Sequence, residues 1–183
     1  MRMFDSIVSW YGSNRTEFRD AVKDLPVQFH QTLPKEPGVH ATDFYMRQVG
    51  GSDGAVPRIP CSRKKIGFAA IHPFSGSARK NWPLEDFRAL ARSLPYPVQF
   101  TAGPEEELAG AVRFHNLYDL GCWLAEARLY VGNDSGITHL AAAVGTPVLA
   151  IFGPTDPAVW APRGPKVRVL QNPSLEECLA VLL

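Results

Sequence analysis

The residues best suited to chemistry in this sequence lie where an apolar segment runs into a helix. Asp134, Ser135 and Gly136 follow the apolar residues 129–131, and His139 lies about one helical turn further on. The first turn of a helix carries free backbone N–H groups and a partial positive charge, and glycine lets an anion approach the backbone closely. The sequence therefore predicts a phosphate or nucleotide site at this turn. Taken singly, Asp134 or Ser135 is also explained as a helix cap, and His139 as a half-buried structural histidine.

A second polar loop follows the apolar run 67–71. Ser75, Gly76 and Ser77 supply hydroxyls and open backbone, and Lys80 supplies a mobile positive charge. A diphosphate leaving group requires such a cation, because charge builds on its bridging oxygen as the bond breaks. The alternative is a polar surface loop with an exposed lysine. If the first interpretation holds, Lys80 and Asp134 should lie close together.

Acidic residues 105–107 follow a third apolar segment. Glu106 and its neighbours suit the first turn of a helix electrostatically, and a carboxylate there could also hold ribose hydroxyls.

Motifs typical of several other kinds of site do not occur in the sequence. It has no Asp-x-Asp pair, His/Cys cluster, Walker loop or Gly-x-Ser-x-Gly elbow. A metal-bridged diphosphate, a zinc centre and a serine hydrolase are therefore not supported.

The elements that must position these loops alternate between strand and helix from residue 67 onward. Strands are predicted over 67–71, 98–102, 129–131, 148–152 and 167–170, and helices over 84–94, 104–112, 117–124 and from 137, with a capping box at Ser174 and Glu177. Gly145 and Pro147 should end the helix that begins near residue 137. This alternation predicts an α/β fold with a parallel sheet, whose ligands bind at the carboxyl ends of the strands.

Residues 1–60 are less regular. A strand is predicted over 7–10 and a helix ending at Val49, capped by Thr42 or Asp43. Residues 50–65 are interpreted as a linker. Its cations, Arg58, Arg63, Lys64 and Lys65, are expected to be solvated, with a phosphate or lipid-surface contact as the alternative.

Composition narrows the class of protein. The chain has 183 residues, of which 45% are hydrophobic, enough for a sizeable core. Its net charge of +1 argues against a nucleic-acid-binding protein. The three cysteines are scattered, which favours reduced thiols in the cytoplasm. No apolar run approaches the ~20 residues of a membrane span.

Taken together and in order, these motifs resemble glycosyltransferase family 9, the ADP-heptose:lipopolysaccharide heptosyltransferases. The resemblance is strong over residues 66–165. It rests on His72-Pro-Phe-Ser-Gly-Ser with Lys80-Asn-Trp-Pro, Gly103-Pro-Glu-Glu, Asn133-Asp-Ser-Gly-Ile-Thr-His-Leu-Ala-Ala-Ala, Gly145-Thr-Pro and Phe152-Gly-Pro-Thr-Asp-Pro. Residues 4–50 are similar to the later part of the family's N-terminal domain.

The resemblance implies a GT-B architecture with a Rossmann-like, nucleotide-sugar-binding domain over residues 61–183, and an incomplete acceptor-side domain and linker over 1–60. It implies metal-independent, inverting transfer of a sugar, heptose from ADP-heptose, to a lipopolysaccharide-core or related glycan acceptor. The substrate-binding residues carried over by the resemblance are Ser75, Gly76, Ser77, Lys80, Glu106, His115, Leu117, Asp134, Ser135, Gly136 and His139. Lys80 would also stabilise the leaving group, Glu106 would lie near the ribose, and residues 115–117 would lie beside the adenine.

One family feature has no counterpart here. Family members carry an aspartate on an early Gly-rich loop, proposed as the base that deprotonates the acceptor, and Asp5 lies in a different context. The catalytic base is therefore unassigned. The alternatives are a shortened enzyme, an enzyme completed by a second chain or homodimer, and a non-catalytic ADP-sugar-binding module. A further alternative is an epimerase or another GT-B enzyme that uses a uridine nucleotide. A glycolipid acceptor would bring the protein to the periphery of the inner membrane.

Overall fold

The computed structural model describes residues 4–34, 38–61 and 66–183. The chain divides between Ala55 and Val56 into two compact units. Three cations of the predicted linker, Arg63, Lys64 and Lys65, lie outside the described residues, whereas Arg58 is exposed. Among the described residues, no helix combines the length and the apolar character that crossing a membrane would need.

The first unit contains two short strands and two helices. Strands β1 (Ile7–Ser9) and β2 (Val27–Phe29) pair in parallel, and helices α1 (Thr16–Ala21) and α2 (Ala41–Gln48) follow them in turn. The sequence predicted β1 and α2 but neither α1 nor β2. The cap of α2 was also predicted wrongly. His40 fills that position, because its ring accepts a hydrogen bond from the Thr42 backbone.

The second unit is a five-stranded, wholly parallel sheet with helices on both faces. Its strands are β3 (Ala69–His72), β4 (Val98–Phe100), β5 (Leu129–Asn133), β6 (Val148–Phe152) and β7 (Val167–Gln171), and its helices are α3 (Leu84–Ser93), α4 (Leu117–Glu126), α5 (Gly136–Ala143), α6 (Pro157–Trp160) and α7 (Leu175–Leu182). The strand order is β4-β3-β5-β6-β7. The alternating pattern predicted a parallel sheet, and the strand order makes it doubly wound.

Two apolar clusters, one on each face, hold the helices to the sheet. Alternate residues of a strand point to opposite faces, so Tyr130 packs toward α4 and α5 while its neighbours Leu129 and Val131 pack toward α3 and α7. The central strands β3, β5 and β6 are buried at every position. Such continuous burial explains why they read as unbroken apolar runs rather than as alternating ones.

The end of α5 follows the sequence prediction. Gly145 adopts a left-handed conformation, with φ of 80°. Its N–H bonds to the carbonyl of Ala142, and the N–H of Thr146 bonds to that of Ala141, which is the pattern of a Schellman motif. Glycine suits this position because a side chain there would be strained. The capping box predicted at Ser174 and Glu177 is also confirmed at the start of α7.

The helix predicted over residues 104–112 is wrong. The chain makes a turn there and then an extended bridge in which Val112 pairs with Thr101. The carboxylate of Glu106 accepts a bond from the Gly103 backbone, and Gly110 takes a left-handed φ of 75° that a helix does not permit. Local acidic charge favoured a helix start, but the tertiary contacts of Glu106 decided otherwise.

Candidate functional site

The site lies where the chain reverses its direction of winding across the sheet. Strands β3 and β5 are neighbours, but β4 adds to the sheet beyond β3 whereas β6 adds beyond β5. The connections that leave their carboxyl ends therefore diverge and open a crevice, which is where doubly wound folds bind ligands. The two phosphate-type loops of the sequence analysis, 73–83 and 134–136, are the connections on either side of this crevice.

Asn133 fastens these two loops together. Its side chain is fully buried at the end of β5. The amide nitrogen donates to the carbonyl of Pro73 at 2.8 Å, and the amide oxygen accepts from the backbone of Trp82, also at 2.8 Å. A single side chain thus holds both ends of the first loop against the strand that begins the second. The Trp82 indole adds a bond to the carbonyl of Pro173, so that the loop is anchored at its far end too.

The start of α5 offers backbone donors to the crevice. Ser135 is its N-cap, and its hydroxyl accepts from the N–H of Thr138. In the part of the chain that the structure describes, the N–H groups of Gly136 and Ile137 have no protein acceptor, as the geometry of a helix N-terminus dictates. Beneath them, the hydroxyls of Tyr130, Thr138 and Ser135 form a buried chain. Burial raises the pKa of Tyr130, so this hydroxyl stays protonated.

Lys80 lies beside this turn. Its ammonium is 3.1 Å from Oδ2 of Asp134, and both side chains are largely buried. The hydroxyl of Thr155, from the loop after β6, donates to the same carboxylate oxygen at 2.8 Å. Three loops therefore meet at one carboxylate, and the expected approach of Lys80 to Asp134 is observed. Because the carboxylate repels phosphate, the immediate effect of Asp134 is to hold the ammonium in place.

His72 and Glu106 form a second polar contact in the crevice. Nε2 of His72 lies 3.0 Å from Oε2 of Glu106, which also accepts the Gly103 N–H at 2.6 Å. His72 is 5% exposed, and its Nδ1 is buried without a hydrogen bond of normal geometry. Burial lowers the pKa of His72, and this effect exceeds the opposing attraction of Glu106. The imidazole is therefore neutral at neutral pH.

A cavity of about 300 Å³ lies between these groups. This volume is at the small end of the range of roughly 300–1,000 Å³ that is usual for ligand pockets. Its polar lining comes from the loops after β3, β4 and β5, and its apolar lining from the start of α4 and its approach. The lining includes His72, Ser75, Gly76, Gly103, Glu106, Phe114, Leu117, Leu120, Ser135, Gly136 and Ile137. An apolar end beside helix-terminal amides suits a nucleobase with attached phosphates.

The predicted site residues divide into two groups. The first group lies at the cavity. Its lining includes Ser75, Gly76, Glu106, Leu117, Ser135 and Gly136, and the adjoining ion pair is formed by Lys80 and Asp134. His115, Ser77 and His139 are exposed and do not line it. The side chain of Ser75 bonds to the Ser77 carbonyl and to Asn81, so it shapes the loop as well as lining the cavity.

Sequence reasoning missed four residues at this site. His72, Asn133 and Thr155 were quoted as parts of motifs but given no role, and Phe114 was not considered. His72 and Asn133 are the last residues of β3 and β5, where a polar residue ending an apolar strand is itself a signal. No local pattern would reveal Thr155, because its partner lies 21 residues away.

A larger cavity, of about 410 Å³, lies between residues 56–60 and the carboxyl end of α5. It lies at the opposite edge of the sheet, where strands β6 and β7 begin. Ligand sites of doubly wound folds lie at the carboxyl ends instead. Within the described residues, no three His, Cys, Asp or Glu side chains are grouped as a metal site would require.

Comparison with known proteins identifies the family to which the chain belongs. The model described as glycosyltransferase family 9 (heptosyltransferase) matches residues 19–180 of the chain. Lipopolysaccharide heptosyltransferase 3 of Escherichia coli is 32% identical over 117 residues, covering 52% of this chain and 34% of that protein. Lipooligosaccharide heptosyltransferase 2 of Haemophilus influenzae is 38% identical over 132 residues, covering 60% of this chain and 37% of that protein.

The fold matches a solved heptosyltransferase. The structure of E. coli heptosyltransferase WaaC with ADP aligns with a TM-score of 0.69 at 17% identity, covering 99% of this chain and 72% of that one. At this identity the likeness shows the fold, which is the GT-B type, and not the substrate. The matched segments of the chain cover only about a third of the length of these curated relatives.

Proposed function

Since the chain belongs to glycosyltransferase family 9, we propose that it binds ADP-heptose in the cavity between the loops after β3, β4 and β5. The heptose would pass to a lipopolysaccharide-core or related glycan acceptor, with inversion and without a metal ion. The single observation that carries the proposal is the contact of Lys80 with Asp134 beside the open N-terminus of α5. The ADP named with WaaC and the heptosyltransferase names of the relatives support the choice of donor.

Electrostatics supports a diphosphate at this position. The helix dipole and the N–H groups of Gly136 and Ile137 favour an anion, and the ammonium of Lys80 adds a full charge nearby. As the bond from the sugar to the diphosphate breaks, negative charge grows on the leaving oxygen. Groups already fixed around that oxygen stabilise the transition state more than the ground state.

The remaining lining supports a nucleoside at the other end. Phe114, Leu117 and Leu120 give an apolar surface for a base, and Glu106 provides a carboxylate that would accept hydrogen bonds from ribose hydroxyls. Independence from metal is part of the proposal, with Lys80 and the helix amides supplying the charge that a metal would otherwise provide. So is a cytoplasmic location, where an acceptor glycolipid would bring the protein to the inner membrane.

ADP binding to the wild-type chain and to a Lys80→Met variant tests the donor site. Methionine keeps the length and apolar stem of lysine while removing its charge. Loss of a charge-assisted contact of about 1.5–3 kcal/mol weakens binding by roughly 10–100-fold. Isothermal titration calorimetry with millimolar ADP measures the change.

Lys166→Met is the matched control, since Lys166 is exposed and lines the cavity at the other edge of the sheet. Its affinity for ADP should equal that of the wild type. Absence of heat with the wild-type protein, or an equal loss in both variants, would contradict the proposal. Stronger binding of UDP than of ADP would point to an enzyme that uses a uridine nucleotide.

Transfer of heptose needs a separate measurement, because a non-catalytic module would bind ADP equally well. The proposal predicts a glycosylated product when the chain is mixed with ADP-heptose and a lipopolysaccharide-core acceptor, detected by mass spectrometry. ADP binding without product, at any acceptor concentration, would favour the non-catalytic module or a site completed by another chain.

A further inference from the structure

The carboxylate of Glu106 is held by one of its two oxygens only. Oε2 accepts the N–H of Gly103 at 2.6 Å and lies 3.0 Å from Nε2 of His72. In the described part of the chain, Oε1 has no protein partner, and it is not a buried atom. Glu106 lines the cavity. One oxygen is therefore used to fix the group, and the other is available to a ligand.

The chemistry of the pair defines which atom carries the proton. An ionised carboxylate only accepts hydrogen bonds, so Nε2 of the neutral His72 ring must be the donor. The imidazole itself has little freedom, because it ends the buried strand β3 and its side chain is only 6% exposed. The fixed ring N–H of His72 therefore sets the orientation of the more flexible Glu106 side chain.

The backbone of the same loop is held by a different residue. The guanidinium of Arg113 donates to the carbonyls of Gly103 and Glu106. These contacts restrain the main chain but not the rotation of the Glu106 side chain. The direction of the carboxylate therefore depends on Gly103 and His72, and His72 is the only side chain among the described residues that bonds to it.

We propose that His72 is a positioning residue that orients Glu106, so that Oε1 accepts hydrogen bonds from the ribose hydroxyls of the bound nucleotide. His72 itself does not touch the ribose. This inference rests on the proposed function, since it assumes a nucleoside diphosphate in the cavity. It assigns the recognition of the ribose to a pair of residues, one at the end of β3 and one in the loop that follows the neighbouring strand β4.

The test compares ADP with 2′,3′-dideoxy-ADP, which lacks both ribose hydroxyls. Calorimetry gives the affinity ratio of the two ligands for the wild type and for two variants of His72. The side-chain amide of asparagine in His72→Asn is too short to reach the position of the Nε2 atom that bonds to Glu106. The longer glutamine of His72→Gln reaches that position. We expect the wild type to favour ADP by about tenfold or more, which is the size of one hydrogen bond to a charged group. The ratio should fall toward one in His72→Asn and be largely restored in His72→Gln.

A merely structural role would lower stability without changing this ratio. Ile71→Val is the matched control, because it trims the adjacent buried residue of β3 on the opposite face and should weaken the strand while leaving the ratio unchanged. Circular dichroism shows whether each variant is folded. Should His72→Asn fail to fold, His72→Leu gives the same comparison.

The outcomes are distinguishable. If the wild type binds neither ligand, the proposed function itself fails. If it binds both equally, or if His72→Asn and His72→Leu keep the wild-type ratio, the donor site stands and the role of His72 is overturned. A ratio that falls in His72→Asn and returns in His72→Gln supports the proposal.

Discussion

Individual residues at this site are held by contacts that use only part of their bonding capacity. Asp134 bonds to Lys80 and Thr155 through one carboxylate oxygen, and Glu106 bonds to His72 through one of its own. The contact of Asp134 holds the ammonium of Lys80 in place, and that of Glu106 leaves its other oxygen to the cavity. Another buried residue beneath the site, Tyr130, packs tightly against its neighbour. The buried ring of Tyr130 passes directly over Gly132, with its hydroxyl in the chain that leads to Ser135.

Gly132→Ala should therefore destabilise the protein by about 1–3 kcal/mol, the usual cost of overpacking a core. An added Cβ would lie 2.3 Å from the hydroxyl of Tyr130, which is fully buried and has no free space to enter. Urea denaturation followed by circular dichroism measures the change. Gly136→Ala is the control, since nothing lies within 4 Å of a Cβ there, and equal stability of the two variants would contradict the argument.

At the scale of elements, the site is made by the ends of strands rather than by the helices. One loop at the crevice follows each of the strands β3, β4, β5 and β6. Hydrogen bonds join these loops to one another: Asn133 at the end of β5 bonds to Pro73 after β3, and Thr155 after β6 bonds to Asp134 after β5. Asn133 is central to this arrangement, because it bonds to both ends of the loop that carries Lys80. The loop is otherwise irregular, with a single short 3₁₀ turn at Ala78–Lys80.

Asn133→Leu should loosen that loop. The substitution is close in volume, but it leaves the buried carbonyl of Pro73 and the N–H of Trp82 without partners, at about 1–3 kcal/mol for each unsatisfied group. Hydrogen exchange should rise over residues 73–83, and ADP affinity should fall as Lys80 loses its fixed position.

Asn116→Leu makes the same chemical change at an exposed helix cap. It should cost about 1 kcal/mol and leave exchange over residues 73–83 unchanged. Exchange that is unaltered in Asn133→Leu, or raised equally in both variants, would show that Asn133 does not organise the loop.

At the scale of the whole molecule, the five-stranded sheet is a rigid base for the crevice. Apolar clusters cover both of its faces, and its central strands are buried throughout. A polar group within such a base is costly unless it is neutral and bonded. His72 meets this condition at neutral pH. Burial lowers its pKa, so the ring is neutral, and the ring N–H donates a hydrogen bond to Glu106.

Acid should therefore weaken the fold through His72. Its pKa in the folded protein lies below the ordinary value of 6.5, so the unfolded chain binds a proton more readily. Stability from this residue is complete above pH 6.5 and is lost as the pH falls from 6.5 through the folded pKa. The free energy of unfolding, measured in urea at intervals between neutral and mildly acidic pH, should decline in the wild type.

His72→Gln, which does not titrate, should decline less over the same interval. When the two curves are aligned at neutral pH, the wild-type curve should fall below that of His72→Gln as the pH drops below 6.5. Parallel curves would show that His72 does not bind protons differently in the folded and unfolded states.

Much of the second unit could be predicted from local sequence. Each strand from β3 to β7 was predicted within two residues at either end, because continuous apolar runs bounded by turn residues are typical of buried parallel strands. The capping box and the end of α5 were predicted for the same reason: Ser174, Glu177 and Gly145 act through neighbours in the chain. Lys80 and Asp134 were predicted from the polar loops to lie close together, and the structure brings them together. The resemblance to a family added His115 and Leu117, of which only Leu117 lines the cavity.

Only the tertiary structure decided which side chains meet. Lys80 and Asp134 are 54 residues apart, and His72 and Glu106 are 34 apart, so no local period encodes either contact. Residues 104–112 have helical composition, yet the bonds of Glu106 to Gly103 and His72 hold them in a loop. Sequence by itself determined the strands of the second unit, the end of α5, the capping box of α7 and the kinds of group available for chemistry, since these depend on nearest neighbours. The pairing of those groups depends on strand order, which only the folded sheet establishes.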